Sequence, residues 1–170
     1  MKKIITGALA LTVLSTMTMA EGMGLYVGGG IVYEEVEDAT NAGQAFEFHV
    51  GKEIANNFGA ELRVSKTFNE ANLKNNQVIG EYDITTLGAF GTYTYSPISQ
   101  LSIVPKIGLN YLSVKSTIKA LGYTEQATET KLAYGLDVKY NINSNLSTYI
   151  GITQVGPQIQ HLTIGVESHF

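Results

Sequence analysis

"KLAYGLDVKY" occupies residues 131–140 and has a different character at even and odd positions. Leu132, Tyr134, Leu136, Val138 and Tyr140 are apolar or aromatic, whereas Ala133, Gly135, Asp137 and Lys139 stand between them. Side chains along a β-strand point alternately to its two faces, so the segment predicts a strand with one greasy face and one mixed face. The mixed face carries small residues beside charges of both signs. Glycine serves little purpose on a face washed by water. Inside a narrow closed barrel it is needed, because small and long side chains must alternate to fill a bore just wide enough for them.

The alternation recurs about eight times in the chain. "AFEFHVGKEI" (45–54) sets Phe46, Phe48 and Val50 against Glu47, His49 and Gly51. "FGAELRVSKTF" (58–68) sets Ala60, Leu62 and Val64 against Glu61, Arg63 and Ser65. "LSIVPKIGLNYLSV" (101–114) sets Ile103, Pro105, Ile107, Leu109 and Tyr111 against Lys106, Gly108 and Asn110. "HLTIGVESHF" (161–170) sets Leu162, Ile164, Val166, Ser168 and Phe170 against Thr163, Gly165, Glu167 and His169. "LSTYIGITQV" is a weaker strand, and "GLYVGGGIVY" (24–33) is blurred by three glycines. In "GEYDITTLGAFGTYTY" (80–95) the apolar parity changes between Ile84 and Leu87, which predicts a bulge near Thr85 and Thr86.

The polar faces together contribute Glu47, Glu61, Arg63, Lys106, Asp137, Lys139 and Glu167, and these form the expected charge network of the barrel interior. Buried charges need partners, so Glu47 is expected to face Arg63, and Lys106 to face Asp137. Polar connections "EEVEDATNAGQ", "NEANLKNNQ", "STIKALGYTEQ" and "QVGPQ" follow strands one, three, five and seven; short turns "ANN", "SPISQ" and "NINSN" follow strands two, four and six. Long loops at one end and short turns at the other are the layout of a membrane barrel. The predicted fold class is all-β: an eight-stranded antiparallel up-and-down transmembrane β-barrel. Tyr93, Tyr95 and Tyr140 precede short turns, where an aromatic girdle would meet the lipid interface. Lys52 and Lys66 interrupt the outward apolar series near strand ends, where long stems can snorkel.

The first twenty residues, "MKKIITGALALTVLSTMTMA", have two lysines, an apolar run and small residues ending in Ala20, the parts of a secretory signal. The expected division is residues 1–20 as signal peptide and 21–170 as barrel domain. No apolar run approaches the ~20 residues of a membrane-spanning helix. The whole chain carries 11 basic and 15 acidic side chains; loss of Lys2 and Lys3 with the signal leaves nine against fifteen. So acidic a chain is not expected to bind nucleic acid. Cysteine is absent, which an exported protein permits.

The alternating carboxy-terminal strand resembles the insertion signal of outer-membrane barrels, carried here by Leu162, Ile164, Gly165, Val166 and Phe170. Ser168 stands where the family usually has a large apolar residue. With "GLYVGGGIVY", "ELRVSKTF", "VPKIGLNYL" and "YGLDVKYNI", the chain resembles the OmpA-like or opacity-type outer-membrane β-barrel family across nearly all its length. The resemblance implies a cell outer membrane location, surroundings of outer-membrane lipid and lipopolysaccharide, and barrel-assembly machinery and periplasmic chaperones as partners in biogenesis. OmpA itself continues into a peptidoglycan-binding domain; this chain departs from it and is expected to end with its barrel. A monomer is expected.

Some small barrels of this kind are lipid A deacylases or acyltransferases, whose histidine must reach a nucleophile and a carboxylate. Here the deacylase arrangement His-x-Ser is replaced by "HLT", with Thr163 in the serine place, and only His49, His161 and His169 are available. No catalytic residue, cofactor or metal is therefore expected. "GGG" at Gly28 to Gly30 is read as close strand packing, since neither a Lys-Ser/Thr pair nor a helix follows. The acidic run from Glu34 to Asp38 is read as a solvated loop. The expected role is structural or surface-interacting, with a plugged interior; the alternatives are a narrow porin-like channel and, less favoured, a lipid A-modifying enzyme. Eight strands argue against a wide bore, which appears at about sixteen.

Overall fold

The computed structural model describes residues 24–37, 39, 41–72, 80–118 and 123–170; the leader read in residues 1–20 lies outside them. Eight long strands are present: β1 Leu25–Val36, β2 Gly43–Ala55, β3 Phe58–Asn69, β4 Gly80–Tyr93, β5 Leu101–Ile118, β6 Tyr123–Asn141, β7 Leu146–Val155 and β8 Ile159–His169. Each pairs antiparallel with the next in the chain. β1 pairs with β8 from Tyr26 opposite His169 to Val36 opposite Ile159, which closes the sheet into a barrel. The Phe170 amide adds one more bond across this seam, to the Leu25 carbonyl at 2.9 Å. Two short segments lie beside the main strands: Ala71–Asn72 pairs with β4, and Tyr95–Ile98 folds back onto β5.

The greasy face looks outward. Phe46 is 60% exposed and Ile107 59%, while Arg63 and Lys106 are each 4% exposed and Asp137 is fully buried. Leu132 to Tyr140 on β6 supply five outward apolar residues over eight steps, about 27 Å of strand and about 20 Å along a barrel axis tilted by ~40°. This matches the lipid-facing band of a small membrane barrel. Tyr93, Tyr95 and Tyr140 are exposed at the lower rim, where Phe58 packs against Tyr93 with ring centres 5.0 Å apart. Lys66, also exposed, lies within 3.3 Å of Asp83 on the next strand.

No bulge occurs at Thr85 or Thr86. β4 keeps one register with β5 from Gly80 to Thr92, and Ile84, Thr86, Gly88, Phe90 and Thr92 all point inward. The parity of the apolar residues changes because Ile84 and Phe90 belong to an internal apolar cluster with Leu112, Ala133, Val155 and Ile159. β1 likewise runs through Gly28–Gly30 in unbroken register on both edges. Among the eight long strands the irregularities lie instead between β2 and β3, at Gln44/Ala45 and Glu53/Ala55. The second of these leads into the turn where Asn56 and Asn57 adopt φ of 51° and 70°, a conformation asparagine tolerates better than most residues.

Two connections differ from the sequence reading. "STIKALGYTEQ" is largely strand, because β5 runs to Ile118 and β6 starts at Tyr123, leaving residues 119–122 outside the described set. The acidic run is not a solvated loop: Glu34 is inside β1 and buried, Glu35 is exposed on the same strand, and Asp38 lies outside the described residues. β1 is thus longer than its charges suggest. Much of the second long loop, residues 73–79, is also outside the described set.

Large inward rings sit over glycines. Tyr149 is opposite Gly165 across β7 and β8, and Tyr26 is opposite Gly51 across β1 and β2. A Cβ at position 165 would lie 2.4 Å from the Gly29 carbonyl oxygen and 2.7 Å from the Tyr149 ring. Gly165→Ala should therefore lower stability by about 1–3 kcal/mol, measured by urea titration of the protein refolded in lipid vesicles. An unchanged midpoint would show that the ring gives way freely.

Candidate functional site

The charged side chains meet in the middle of the barrel, with Arg63 at their centre. From β3 its Nη1 donates to Glu47 on β2 at 2.9 Å and its Nη2 to Asp137 on β6 at 2.5 Å, and its Nε donates to Glu61. β3 and β6 are three strands apart around the wall, so the Arg63 side chain crosses the bore. Lys106 on β5 donates to the other Asp137 oxygen at 2.7 Å. Lys139 on β6 donates to both oxygens of Glu167 on β8, at 2.7 and 2.8 Å. Tyr149 on β7 donates across to Glu47 at 3.1 Å, and Tyr26 on β1 to Glu61 at 3.2 Å.

His49 completes the cluster: its Nε2 is 2.9 Å from Glu167 and its Nδ1 3.6 Å from Glu47. A ring with hydrogens on both nitrogens serves both carboxylates. With Arg63, Lys106 and Lys139 it would set four positive groups against Glu47, Glu61, Asp137 and Glu167, the carboxylates of this cluster; Glu34, also buried, lies above it. Such a network is a plug. Its members are buried, and their bonds run across the lumen rather than along the wall.

Tyr26, His49 and Tyr149 are absent from the sequence-derived charge network. Counting in twos from Glu47 places His49 on its face, and counting from Ser147, which is also buried, places Tyr149 inward. No composition signal marks these tyrosines, since an outward girdle residue looks the same. The five residues of the carboxy-terminal pattern lie on β8 or just after it: Leu162, Ile164 and Val166 point outward, Gly165 lies under Tyr149, and Phe170 is half-buried beside β1.

Three chemistries can be tested against this geometry. His49, Glu61 and Glu167 have potential ligand atoms within 4.8 Å of one another. A metal ion there would have to displace Arg63 and Tyr26 from Glu61 and Lys139 from Glu167. At the lower end, Ser147, His169 and Glu167 lie together, but Ser147 at 3.1 Å and Glu167 at 3.0 Å approach the same nitrogen, Nε2. One nitrogen cannot accept from a nucleophile while donating to a carboxylate, so this is no relay. At the upper end His161 and Thr163 both point into the lumen and are buried, away from the lipid that a deacylase must reach.

A family model for the outer membrane protein β-barrel domain matches residues 6–167. No curated protein matches the sequence significantly. Among solved structures, the fold is similar to Ail, the attachment invasion locus protein of Yersinia pestis, with TM-score 0.62 and 16% identity over 86% of this chain and 99% of that one. It is also similar to Neisserial surface protein A, with TM-score 0.63 and 15% identity over 86% and 97% of the two chains. OprG of Pseudomonas aeruginosa is a third, with TM-score 0.65 and 14% identity over 86% and 95%. At such identities these likenesses establish the fold. A closed eight-stranded barrel, greasy outside and ionic within, together with the match along nearly the whole sequence, places the chain in the outer membrane protein β-barrel domain family, whose members reside in the bacterial outer membrane.

Proposed function

We propose that the barrel is an anchor and that the protein acts by surface interaction, through a sheet projecting from its outer end. One observation carries this reading. β6 pairs with β7 only from Ala133 onward, so residues 123–131 have β5 on one edge and no strand on the other among the described residues. Nine residues make about 30 Å of open strand edge. The Leu132 carbonyl faces the β7 side, where it accepts from the Gly156 amide at 3.0 Å. By alternation, the backbone groups of Thr124, Gln126, Thr128 and Thr130 face the same open side. Their side chains are short or polar and exposed. Unpaired edges of this kind accept an added strand from another chain.

The plugged interior disfavours the channel reading, and the buried His161 and Thr163 disfavour lipid A chemistry. Outer-membrane lipid and lipopolysaccharide would surround the apolar band, and assembly machinery and periplasmic chaperones would act on the chain before closure. Within the bilayer a closed wall offers no edge for a second copy, in keeping with a monomer.

The test uses a nine-residue peptide rich in threonine and valine, and the same peptide N-methylated at alternate residues. Binding to the folded protein should be lost on N-methylation, and also in Thr128→Pro, which removes an amide on the open edge. Equal binding of both peptides would refute edge pairing. Retention of heat-modifiable migration on a detergent gel checks that the variant barrel is intact.

A further inference from the structure

A second feature of the outer end is independent of that edge. Inside the mouth lies a cup of about 220 Å³, walled by Val36, Ile84, Leu112, Val114 and Ile159. Its rim carries Glu37, Glu129 and Lys131, and Lys131 is held by Glu129 at 2.8 Å. One inward position below Val36 on β1 is Glu34, and one below Ile159 on β8 is His161. Thr67 donates to Glu34 Oε2 at 2.6 Å and also bonds the backbone of Ile84, so Glu34 is fixed directly beneath the wall of the cup. Glu34 and His161 are 1% and 4% exposed. Glu34 Oε1 and His161 Nε2 lie 3.5 Å apart, and neither has a hydrogen-bond partner.

We propose that this cup binds a small organic cation: a primary ammonium group on a compact apolar body. The size follows from the volume, because an apolar cavity of about 150 Å³ accepts benzene. A cup half as large again takes one ring with a short arm ending in nitrogen. An ammonium carries three donors and no acceptor, which suits the lone oxygen of Glu34 and Nε2 of His161. It reaches them by parting Val36 and Ile159, one inward step of about 7 Å along the strands. A carboxylate would meet Glu34 as a like charge, and a neutral ring would leave both atoms unpaired. At the rim Glu37 and Glu129 outnumber Lys131, which favours a cation on approach. Below, the Arg63 network closes the bore, so the cup is blind and retains rather than conducts.

Benzylamine, benzyl alcohol and benzoate serve as probes, titrated into the full barrel refolded in detergent. The readout is the NMR shift of the His161 ring and of the Ile84 and Ile159 methyl groups. Benzylamine should saturate, benzyl alcohol should bind at least about tenfold more weakly, and benzoate should not bind, since hydrogen bonds to charged groups exceed neutral ones by that order. Glu34→Gln should abolish the preference for the amine while leaving the alcohol unchanged. Ala127→Trp, at an exposed position on the cup wall, should block all three without threatening the fold. Equal affinity for amine and alcohol, no shift with benzylamine, or a preference that survives Glu34→Gln would each overturn the proposal. If Glu34→Gln does not fold, undiminished benzylamine binding in Ala127→Trp overturns it alone.

Discussion

Replacing Arg63 by leucine should lower the unfolding free energy in lipid vesicles by about 3–5 kcal/mol, the cost of stranding buried partners of a removed charge. The guanidinium serves carboxylates on three strands, Glu47, Glu61 and Asp137. Without it, Asp137 keeps Lys106 and Glu47 keeps Tyr149, but Glu61 is left with the hydroxyl of Tyr26. Arg63→Lys should recover only part of the loss, because an ammonium is a point charge and cannot fork to three acceptors across the bore. The chain has no tryptophan, so urea titration would be followed by gel migration or tyrosine emission. A change within about 1 kcal/mol for the leucine variant would show that water or protons replace the guanidinium without penalty.

Ile107→Arg is expected to cost about 2–4 kcal/mol, because it places a charge at mid-height on the lipid face. Ile107 is opposite Gly91 on β4 and Tyr134 on β6, well inside the apolar band. Thr130→Arg, on β6 beyond the band, should cost between zero and about 1 kcal/mol by the same scale. The contrast between the two sites measures sidedness directly. A water-soluble barrel with this wall would accept arginine equally at both.

Alternation made most of the wall legible. "KLAYGLDVKY" and "ELRVSKTF" each divide cleanly because lipid tolerates one class of residue and a narrow lumen another. The reading failed where that rule lapses. At Ile84 and Phe90 the lumen itself is apolar, so the parity change imitates a bulge. Past Ala127 on β6 both faces meet water and the apolar signal fades, so strand there reads as loop. Glu34 reads as part of a charged loop because the acidic run hides a strand end. Partner choice in the interior was only partly legible. Parity puts Glu47, Arg63 and Asp137 on one face, but that Arg63 reaches across to β6 depends on the width of the bore, which no single strand encodes. Tyr149 over Gly165 is a similar case: the small residue and the large one are about sixteen positions apart and become meaningful only once β7 and β8 are in register.

The seam between β1 and β8 has a kinetic consequence. It joins Tyr26 to His169, residues about 140 positions apart, so the wall has an open rim until β8 has been made and exported. Loop-closure entropy weighs most heavily on such long-range pairings, which makes them late and slow. The salt links of Glu167 cannot form before then, since Glu167 arrives on β8 and must find Lys139 and His49 together. Closure and the pairing of Glu167 are therefore one event, and a chain truncated before β8 would be left with both an unpaired edge and a Lys139 without its carboxylate.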